Sequence, residues 1–268
     1  MIGVIGSGNM ASAIVNGIHG GFSDLKFQIY DPTKSKAEDL AAKVNGEAVN
    51  SLDDLKDADI LLIGVKPQIF GELAAQLHES AIEVKDKHII SMMASISIDG
   101  IKNKLGVTNV TRVMPNTPIF YGKGVSLLLH SDEVSEKVST QINDYFKACS
   151  QVFDIDDEKT FDQVTTVTGS GPAYVYLFAQ TMVEKLVKFG VEEKTAQKMV
   201  TGLFEGSSTL MRENSEESLQ SMIDKVTSKG GVTIEAVKKY REHNLADITA
   251  QALDDAFKRS GELSSEFN

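Results

Sequence analysis

The chain opens on Met1-Ile2-Gly3-Val4-Ile5-Gly6-Ser7-Gly8-Asn9-Met10-Ala11, an apolar strand pattern that runs directly into a glycine-rich turn. The turn matches the spacing Gly-x-Gly-x-x-Gly/Ala and leads into a helical pattern that continues to Ile18. In such a turn Gly6 bends the backbone tightly, Gly8 lets it approach a pyrophosphate, and Ala11 allows the helix to pack closely on the strand. The order of strand, turn and helix predicts a dinucleotide-binding α/β domain rather than a purely structural turn.

The next strand is predicted at residues 26–30 and ends at an acidic residue, Asp31, which precedes Thr33-Lys34-Ser35-Lys36. An acidic residue about 20 positions beyond the glycine turn bonds the adenosine ribose and favours NAD. The hydroxyl and ammonium groups from Thr33 to Lys36 would instead favour the 2′-phosphate of NADP, unless the lysines only form a solvated helical turn. The pattern leaves the choice between the two cofactors open.

Four more apolar segments, at residues 60–65, 88–92, 110–114 and 124–129, predict further strands. The first is apolar throughout, which is typical of a central parallel strand that is buried on both faces. Lys66-Pro67-Gln68 follows this segment, and Pro115-Asn116-Thr117-Pro118 follows the third. Because open α/β sheets bind ligands at the carboxyl ends of their strands, both loops are expected at a ligand site. Residues 1–155 are therefore predicted to form a Rossmann-type, doubly wound domain.

Residues 156–268 are predicted to be all helical, because their apolar residues follow helical spacing with short breaks. Gly169-Ser170-Gly171-Pro172-Ala173-Tyr174 opens a long helix, with Pro172 at a tolerated position of the first turn. That helix is apolar around much of its circumference as far as Phe189. Such a helix is buried either in a core or at a subunit interface. This half is therefore either a self-contained domain or an oligomerisation domain.

Charge and composition argue against several classes of function. A net charge of -11 over 268 residues disfavours nucleic acid or an anionic membrane surface as a partner. No apolar run approaches the roughly 18 residues of a membrane-spanning helix, and the immediate strand pattern leaves no signal peptide to expect. The five histidines match no metal-ligand spacing, so no metal is expected. Cys149 is the single cysteine, which favours a reducing, cytoplasmic compartment.

A second glycine turn, Ser228-Lys229-Gly230-Gly231-Val232-Thr233, stands just ahead of a helical pattern. Glycines allow a tight turn, and N–H groups that enter a helix can converge on an anion with help from the helix dipole. Ser228 and Thr233 would add hydroxyl hydrogen bonds. The turn suits a small carboxylate, although the local pattern alone favours a glycine turn with a Ser/Thr cap.

Five segments together resemble the pyrroline-5-carboxylate reductase family, in the same order and spacing along essentially the whole chain. They are Ile5-Gly6-Ser7-Gly8-Asn9-Met10, Val65-Lys66-Pro67-Gln68, Arg112-Val113-Met114-Pro115-Asn116-Thr117-Pro118, Gly169-Ser170-Gly171-Pro172-Ala173-Tyr174 and the turn at 228–233. The first two are shared with many β-hydroxyacid-type dehydrogenases, whereas the last three are more specific and carry the resemblance.

The resemblance implies reduction of L-Δ1-pyrroline-5-carboxylate to L-proline by hydride transfer from NADPH or NADH, the last step of proline biosynthesis. It also implies a Rossmann domain followed by an all-helical dimerisation domain, in a homodimer that is often assembled further into a decamer. NADP(H) or NAD(H) would be held by Gly6, Ser7, Gly8, Asn9, Met10, Asp31, Lys34, Asn50, Val65, Lys66, Pro67, Ala94 and Asn116. The substrate carboxylate would be held by Ser228, Gly230, Gly231, Val232 and Thr233, largely through main-chain N–H groups. The Thr233 hydroxyl would face the imine nitrogen as the catalytic group.

Three departures from the family pattern bear on these roles. Lys229 replaces the usual proline and either adds positive charge near the carboxylate or stands exposed at a loop tip. Val232 replaces threonine or alanine, and Met92-Met93-Ala94-Ser95 replaces smaller residues and a glycine. The alternative functions are a reductase of another cyclic imine carboxylate and a non-catalytic NADP(H)-binding protein. A hydroxyacid dehydrogenase is disfavoured because the long helix has no lysine before Lys185 to serve as the proton donor.

Overall fold

A computed structural model describes residues 1–267 of the chain. Contacts group residues 1–172, with a second segment that begins at Ala256, into one compact unit. Ala173–Asp255 forms the other unit. The division of the chain into domains at residues 1–155 and 156–268 stays a prediction.

The first unit is built on a single sheet within the described residues. Its strands are β1 Ile2–Ile5, β2 Phe27–Tyr30, β3 Glu47–Ala48, β4 Ile60–Ile63, β5 His88–Ser91, β6 Val110–Pro115, β7 Gly124–His130 and β8 Ser150–Asp154. They lie in the order β3-β2-β1-β4-β5-β6-β7-β8. Every neighbouring pair is parallel except β6 and β7, which are antiparallel.

Helices cover both faces of this sheet, which confirms the predicted doubly wound fold. In the first unit they are α1 Asn9–Gly21, α2 Lys34–Lys43, α3 Phe70–Glu79, α4 Ile98–Leu105, α5 Glu136–Lys147 and α6 Glu158–Thr168. One apolar cluster joins the sheet to α3, α4 and α6, and a second joins it to α1, α2 and α5. Short 3₁₀ turns lie at Leu52–Leu55, Pro67–Ile69, Val84–Asp86 and Thr117–Tyr121.

The predicted helical half is confirmed, and the described residues after α6 contain helices without strands. They are α7 Gly171–Lys188, α8 Glu193–Glu213, α9 Leu219–Lys225, α10 Val232–Glu242 and α11 Leu245–Phe267. The last residues of α11 belong to the first unit, where Phe267 packs against the apolar cluster that contains Phe161.

The second unit has almost no core of its own. Among its described residues only Ala196 and Val200 are buried, and both lie on α8. The apolar α7 buries no residue; Tyr176 and Leu177 are 62% and 65% exposed. Of the two interpretations of α7, a core helix or a subunit-interface helix, this exposure favours the interface.

Two strands were not predicted from the sequence, and both lie at the edges of the sheet. β3 consists of two residues and pairs only with β2. β8 pairs only with β7, and its Gln151, Phe153 and Asp154 are exposed. An edge strand needs no continuous apolar run, so neither segment carries the periodicity that predicts a strand.

A chain of polar side chains crosses the amino-terminal edge of the sheet, opposite the edge where β1 ends at the glycine turn. His88 Nε2 and His130 Nδ1 each lie 2.8 Å from the Thr111 hydroxyl. His130 Nε2 faces Asn143 Oδ1 at 3.2 Å, and Asn143 Nδ2 donates to Asp154 at 2.7 Å. Because Asn143 offers His130 an acceptor, we assign the proton to His130 Nε2. The Thr111 hydroxyl then donates to His130 Nδ1 and accepts from His88 Nε2–H, so both rings are neutral.

This arrangement predicts an acid-sensitive fold. Burial, with a smaller effect from His130 when that ring is protonated, lowers the pKa of His88 from 6.5 to about 4. The unfolded chain therefore takes up a proton at a higher pH than the folded chain, and stability is lost as the pH falls through this window. We expect His88 to account for up to about 3 kcal/mol of this loss. Urea unfolding of the wild type and of His88→Gln between pH 7.5 and pH 4 measures it, and identical pH dependence in both would contradict the assignment.

Candidate active site

The register of the parallel strands brings the predicted cofactor residues to one edge of the sheet. Ile5 of β1 lies beside Tyr30 of β2 and Ile63 of β4. Ile63 pairs with Ser91 of β5, which in turn pairs with Arg112 of β6. The segments that begin at residues 6, 31, 64, 92 and 116 therefore leave the sheet on the same side. This is the carboxyl edge, where sheets of this type bind nucleotides.

The glycine turn has the geometry that phosphate binding requires. Gly6 has φ +92°, and a Cβ at this residue would lie 3.1 Å from the carbonyl oxygen of Gly64. A Cβ at Gly8 would meet no atom within 4 Å, so the backbone there is open to a ligand. Gly8 is the residue before α1, and no side chain among the described residues caps the first turn of this helix. Uncapped N–H groups at a helix start suit a pyrophosphate, and Asn9 and Met10 lie in this turn.

The carboxylate of Asp31 accepts hydrogen bonds from other residues of the chain. Its Oδ2 accepts hydrogen bonds from the N–H and hydroxyl groups of Ser7 at 2.8 and 2.9 Å, and its Oδ1 accepts from the N–H of Thr33 at 2.8 Å. Burial alone would raise the pKa of Asp31, but these three hydrogen bonds and the charge of Lys36 outweigh it and hold that pKa below 3.8. The carboxylate therefore ties the glycine turn to the turn that precedes α2.

The residues predicted for the adenosine end lie exposed around Asp31. Lys34 opens α2 and lies 3.8 Å from Glu38 in an exposed i,i+4 pair. Such a pair is weak, so the Lys34 ammonium is available to an anionic ligand. Asn50 follows β3, and its N–H donates to Asp54 at 3.1 Å while the residue stays exposed.

The loops after β4 and β5 carry the remaining predicted contacts. Val65 is half-buried, Lys66 is exposed, and Pro67 begins a 3₁₀ turn. Ala94 is exposed and precedes Ser95, which has φ +62°. This left-handed conformation is unusual for a residue with a Cβ, and glycine adopts it more readily. Sequence reasoning did not single out Ser95, although it noted that residues 92–95 depart from a family pattern that includes a glycine.

The side chain of Asn116 is buried and makes two hydrogen bonds within the first unit. Its Nδ2 donates to the carbonyl oxygen of Thr168 at 2.9 Å, and its Oδ1 accepts from the N–H of Val125 at 2.9 Å. Asn116 is 8% exposed. Its predicted role in binding the cofactor stays a prediction, and its side chain shapes the loop after β6.

In the second unit, the turn at residues 228–231 leads directly into α10. Gly230 has φ +76°, and the N–H of Gly231 donates to the carbonyl oxygen of Ser228 at 2.9 Å. A Cβ at Gly231 would lie 2.5 Å from Ser228 Oγ, so a larger residue there would displace the Ser228 side chain. α10 begins at Val232 without a side-chain cap among the described residues. The N–H groups of its first turn are therefore open to an anion.

The side chains around this helix start are exposed. Val232 is 92% exposed, and Thr233, which follows it, also lies open to solvent. Lys229 is exposed and has no ion pair in the described part of the chain. Lys229 therefore carries a positive charge three residues before the start of α10, with no neutralising partner among the described residues.

Residues 1–267 show neither a metal cluster nor a membrane-spanning helix. They contain no group of three or more His, Cys, Asp or Glu side chains that could hold a metal ion. No helix in this range is long and apolar enough to cross a membrane.

The sequence matches two known families over these same regions. Residues 158–263 match the family described as pyrroline-5-carboxylate reductase dimerisation. Residues 1–95 match the family described as NADP oxidoreductase, coenzyme F420-dependent.

Similar proteins extend over the whole chain. The pyrroline-5-carboxylate reductase of Haemophilus influenzae is 32% identical over 100% of this chain and 98% of its own. A pyrroline-5-carboxylate reductase structure from Coxiella burnetii has a TM-score of 0.89 at 26% identity, covering 98% of this chain and 97% of that one. The Plasmodium falciparum pyrroline carboxylate reductase, solved with NADP bound, has a TM-score of 0.84 at 26% identity with the same coverage.

The hydrogen bonds of Asp31 predict how loss of its carboxylate changes the binding of NADPH and NADH. Asp31→Asn keeps one acceptor oxygen, so one of the two turns loses its attachment. We expect binding of NADPH and of NADH to weaken by similar factors, roughly 10-fold each. Fluorescence titration with both cofactors measures the change, with Asp39→Asn, an exposed residue of α2, as the control. Weakening confined to NADH would show instead that Asp31 acts through the ribose.

Proposed function

The chain belongs to the pyrroline-5-carboxylate reductase family, and we propose that residues 228–233 and the carboxyl edge of its sheet carry out that family's reaction. The reaction is the reduction of L-Δ1-pyrroline-5-carboxylate to L-proline with NADPH or NADH, the last step of proline biosynthesis. The observation that carries the assignment of residues is the uncapped start of α10 behind Gly230 and Gly231.

The cofactor supplies the hydride when it is bound, so the protein has to bind and orient the two reactants. The turn at residues 6–10 would hold the pyrophosphate on the first N–H groups of α1. Lys34 and Asn50 would lie at the adenosine end, and Val65, Lys66, Pro67 and Ala94 would lie along the cofactor. The fit rests on the open backbone at Gly8 and on the close approach at Gly6.

The substrate carboxylate would bind at the start of α10. The N–H groups of Val232 and Thr233 would donate to it, with Ser228 and the charge of Lys229 nearby. A cyclic imine is readily protonated, and the protonated imine accepts a hydride without a strong acid. Thr233 would therefore hold the imine nitrogen by a hydrogen bond or relay a proton from water. Orientation supplies most of the acceleration in this scheme.

Turnover of the imine tests the proposed function directly. The loss of reduced-nicotinamide absorbance is followed with pyrroline-5-carboxylate, using NADPH and NADH in parallel. We expect imine-dependent oxidation with at least one cofactor, and the ratio of the two kcat/KM values gives the preference. Folded protein that binds a cofactor but oxidises it with no cyclic imine carboxylate would reverse the proposal. Activity only on a larger cyclic imine would support the alternative substrate.

Thr233 is tested in the same assay. We expect Thr233→Ala to lose roughly 10- to 1000-fold in kcat, the effect of one positioned polar group. Thr233→Ser is the matched control because it keeps the hydroxyl, and we expect it to keep most of the activity. Wild-type turnover by Thr233→Ala would remove this hydroxyl from the mechanism.

We propose that the second unit is the dimer interface, with a decamer as the larger assembly that the family resemblance implies. The chain is a homo-oligomer, as its dimerisation region indicates. Ala173–Asp255 buries few of its own side chains, and a second copy would cover the apolar residues that it exposes.

The buried Cys149, which forms no disulfide, supports the cytoplasm as the location of the protein, and cell fractionation tests that assignment.

A dimer interface that includes α7 should be disrupted by a charge placed on this helix. We expect light scattering to give a mass that is an even multiple of one chain. Leu177→Glu places a charge on the exposed apolar face of α7 and is expected to yield monomers of low activity. Lys26→Glu, an exposed change on the first unit, is the control and keeps the wild-type mass. A wild-type protein that is monomeric at micromolar concentration would contradict the assignment.

A further inference from the structure

Arg112 fixes the beginning of α6 to the middle of the sheet. Its side chain is 2% exposed on β6. The guanidinium pairs with Glu158, and its Nη2 lies 3.1 Å from Asp162 Oδ1. It also lies over the ring of Phe161, 4.5 Å from the centroid. A buried cation is costly unless it is paired, so this contact holds α6 in one position.

Glu158 extends the same contact to the loop after β5. Its Oε1 accepts the N–H of Ile98 at 2.6 Å. Ile98 is the first residue of α4, where N–H groups have no partner within the helix. The loop between β5 and α4 contains Ala94 and the left-handed Ser95. One carboxylate therefore joins Arg112 of the sheet to the end of a loop at the cofactor edge.

Asn116 fixes the other end of α6. Through its amide it joins the carbonyl oxygen of Thr168, the last residue of α6, to the N–H of Val125 on β7. α6 is thus attached at its start to the loop after β5 and at its end to the loop after β6. Both loops leave the carboxyl edge of the sheet.

We infer that Arg112, Glu158 and Asn116 are positioning residues for hydride transfer, which act by holding these two loops against α6. The inference rests on the proposed function, because the two loops contain Ala94 and Asn116, which are predicted to hold the cofactor. Arg112 and Glu158 act through the loops and need no contact with either reactant. Loss of either attachment would let a loop move, and small displacements of reacting groups cost much rate.

Two variants and two matched controls test this network. Glu158→Gln leaves one acceptor oxygen for two donors, so either Arg112 or the Ile98 N–H loses its partner. Asn116→Ala removes both hydrogen bonds of the amide. Glu133→Gln is the control for the first variant, since it removes the exposed carboxylate that pairs with Lys102 at 2.6 Å. Asn143→Ala is the control for the second, since Asn143 also spans two partners but lies at the opposite edge of the sheet.

We expect Glu158→Gln and Asn116→Ala to lower kcat by roughly 10-fold, with the KM for the imine within about twofold of wild type. The kinetic isotope effect from cofactor deuterated at C4 should rise in both, because hydride transfer becomes slower than the other steps. Hydrogen exchange of residues 92–97 and 116–121 should also become faster. Both controls should keep the wild-type kcat and isotope effect, although Asn143→Ala is expected to lower the melting temperature.

The inference is overturned if folded Glu158→Gln keeps the wild-type kcat, isotope effect and exchange rates. It is equally overturned if Asn143→Ala loses as much kcat as Asn116→Ala, because the effect would then follow stability alone. Should Asn116→Ala fail to fold, Asn116→Ser takes its place. A wild-type enzyme that does not turn over the imine would refute the proposed function, whereas the exchange rates would still decide whether α6 holds the loops.

Discussion

The carboxyl edge of the sheet depends on the close approach of three small residues. A Cβ at Gly64 would lie 2.8 Å from the Cβ of Ala11 and 3.1 Å from the carbonyl oxygen of Gly6. Larger side chains at these positions would push α1 away from the ends of β1 and β4, and the first N–H groups of α1 would move with it. The hydrogen bonds from Ser7 to Asp31 then attach this turn to the end of β2. Phosphate binding is thus a consequence of tight packing rather than of any single charged side chain.

The two units are stabilised in different ways. The first has two apolar clusters, one on each face of its sheet, together with the buried Arg112 and its carboxylate partners. The second presents apolar side chains on α7 and α8 and buries only Ala196 and Val200 among its described residues. A helical segment with so little buried surface depends on association, as its match to a dimerisation family indicates. The catalytic assignment to Thr233 lies in this second unit.

The sequence predicted the features that depend on local pattern. The apolar run at 60–65 identified β4, and the glycine spacing identified both turns, because periodicity and glycine content are visible within a few residues. Features that depend on distant partners were not predicted. Nothing local to Asp31 shows that Ser7, 24 positions earlier, occupies its carboxylate. A charged residue within the apolar β6 signalled that Arg112 has a buried partner, but only the fold identifies Glu158 and Asp162 as that partner.

Because the end of α11 belongs to the first unit, this unit can be completed only after residues 173–255 have been synthesised. Its helical segment from Ala256 returns to the sheet-bearing unit, where Phe267 packs beside the cluster that contains Phe161. The unit is therefore discontinuous in sequence, with Ala173–Asp255 between its two parts. During synthesis the sheet can form early, but its apolar contact with Phe267 waits until that residue has left the ribosome. The newly made chain thus exposes the apolar surface that Phe267 covers until this segment has been synthesised.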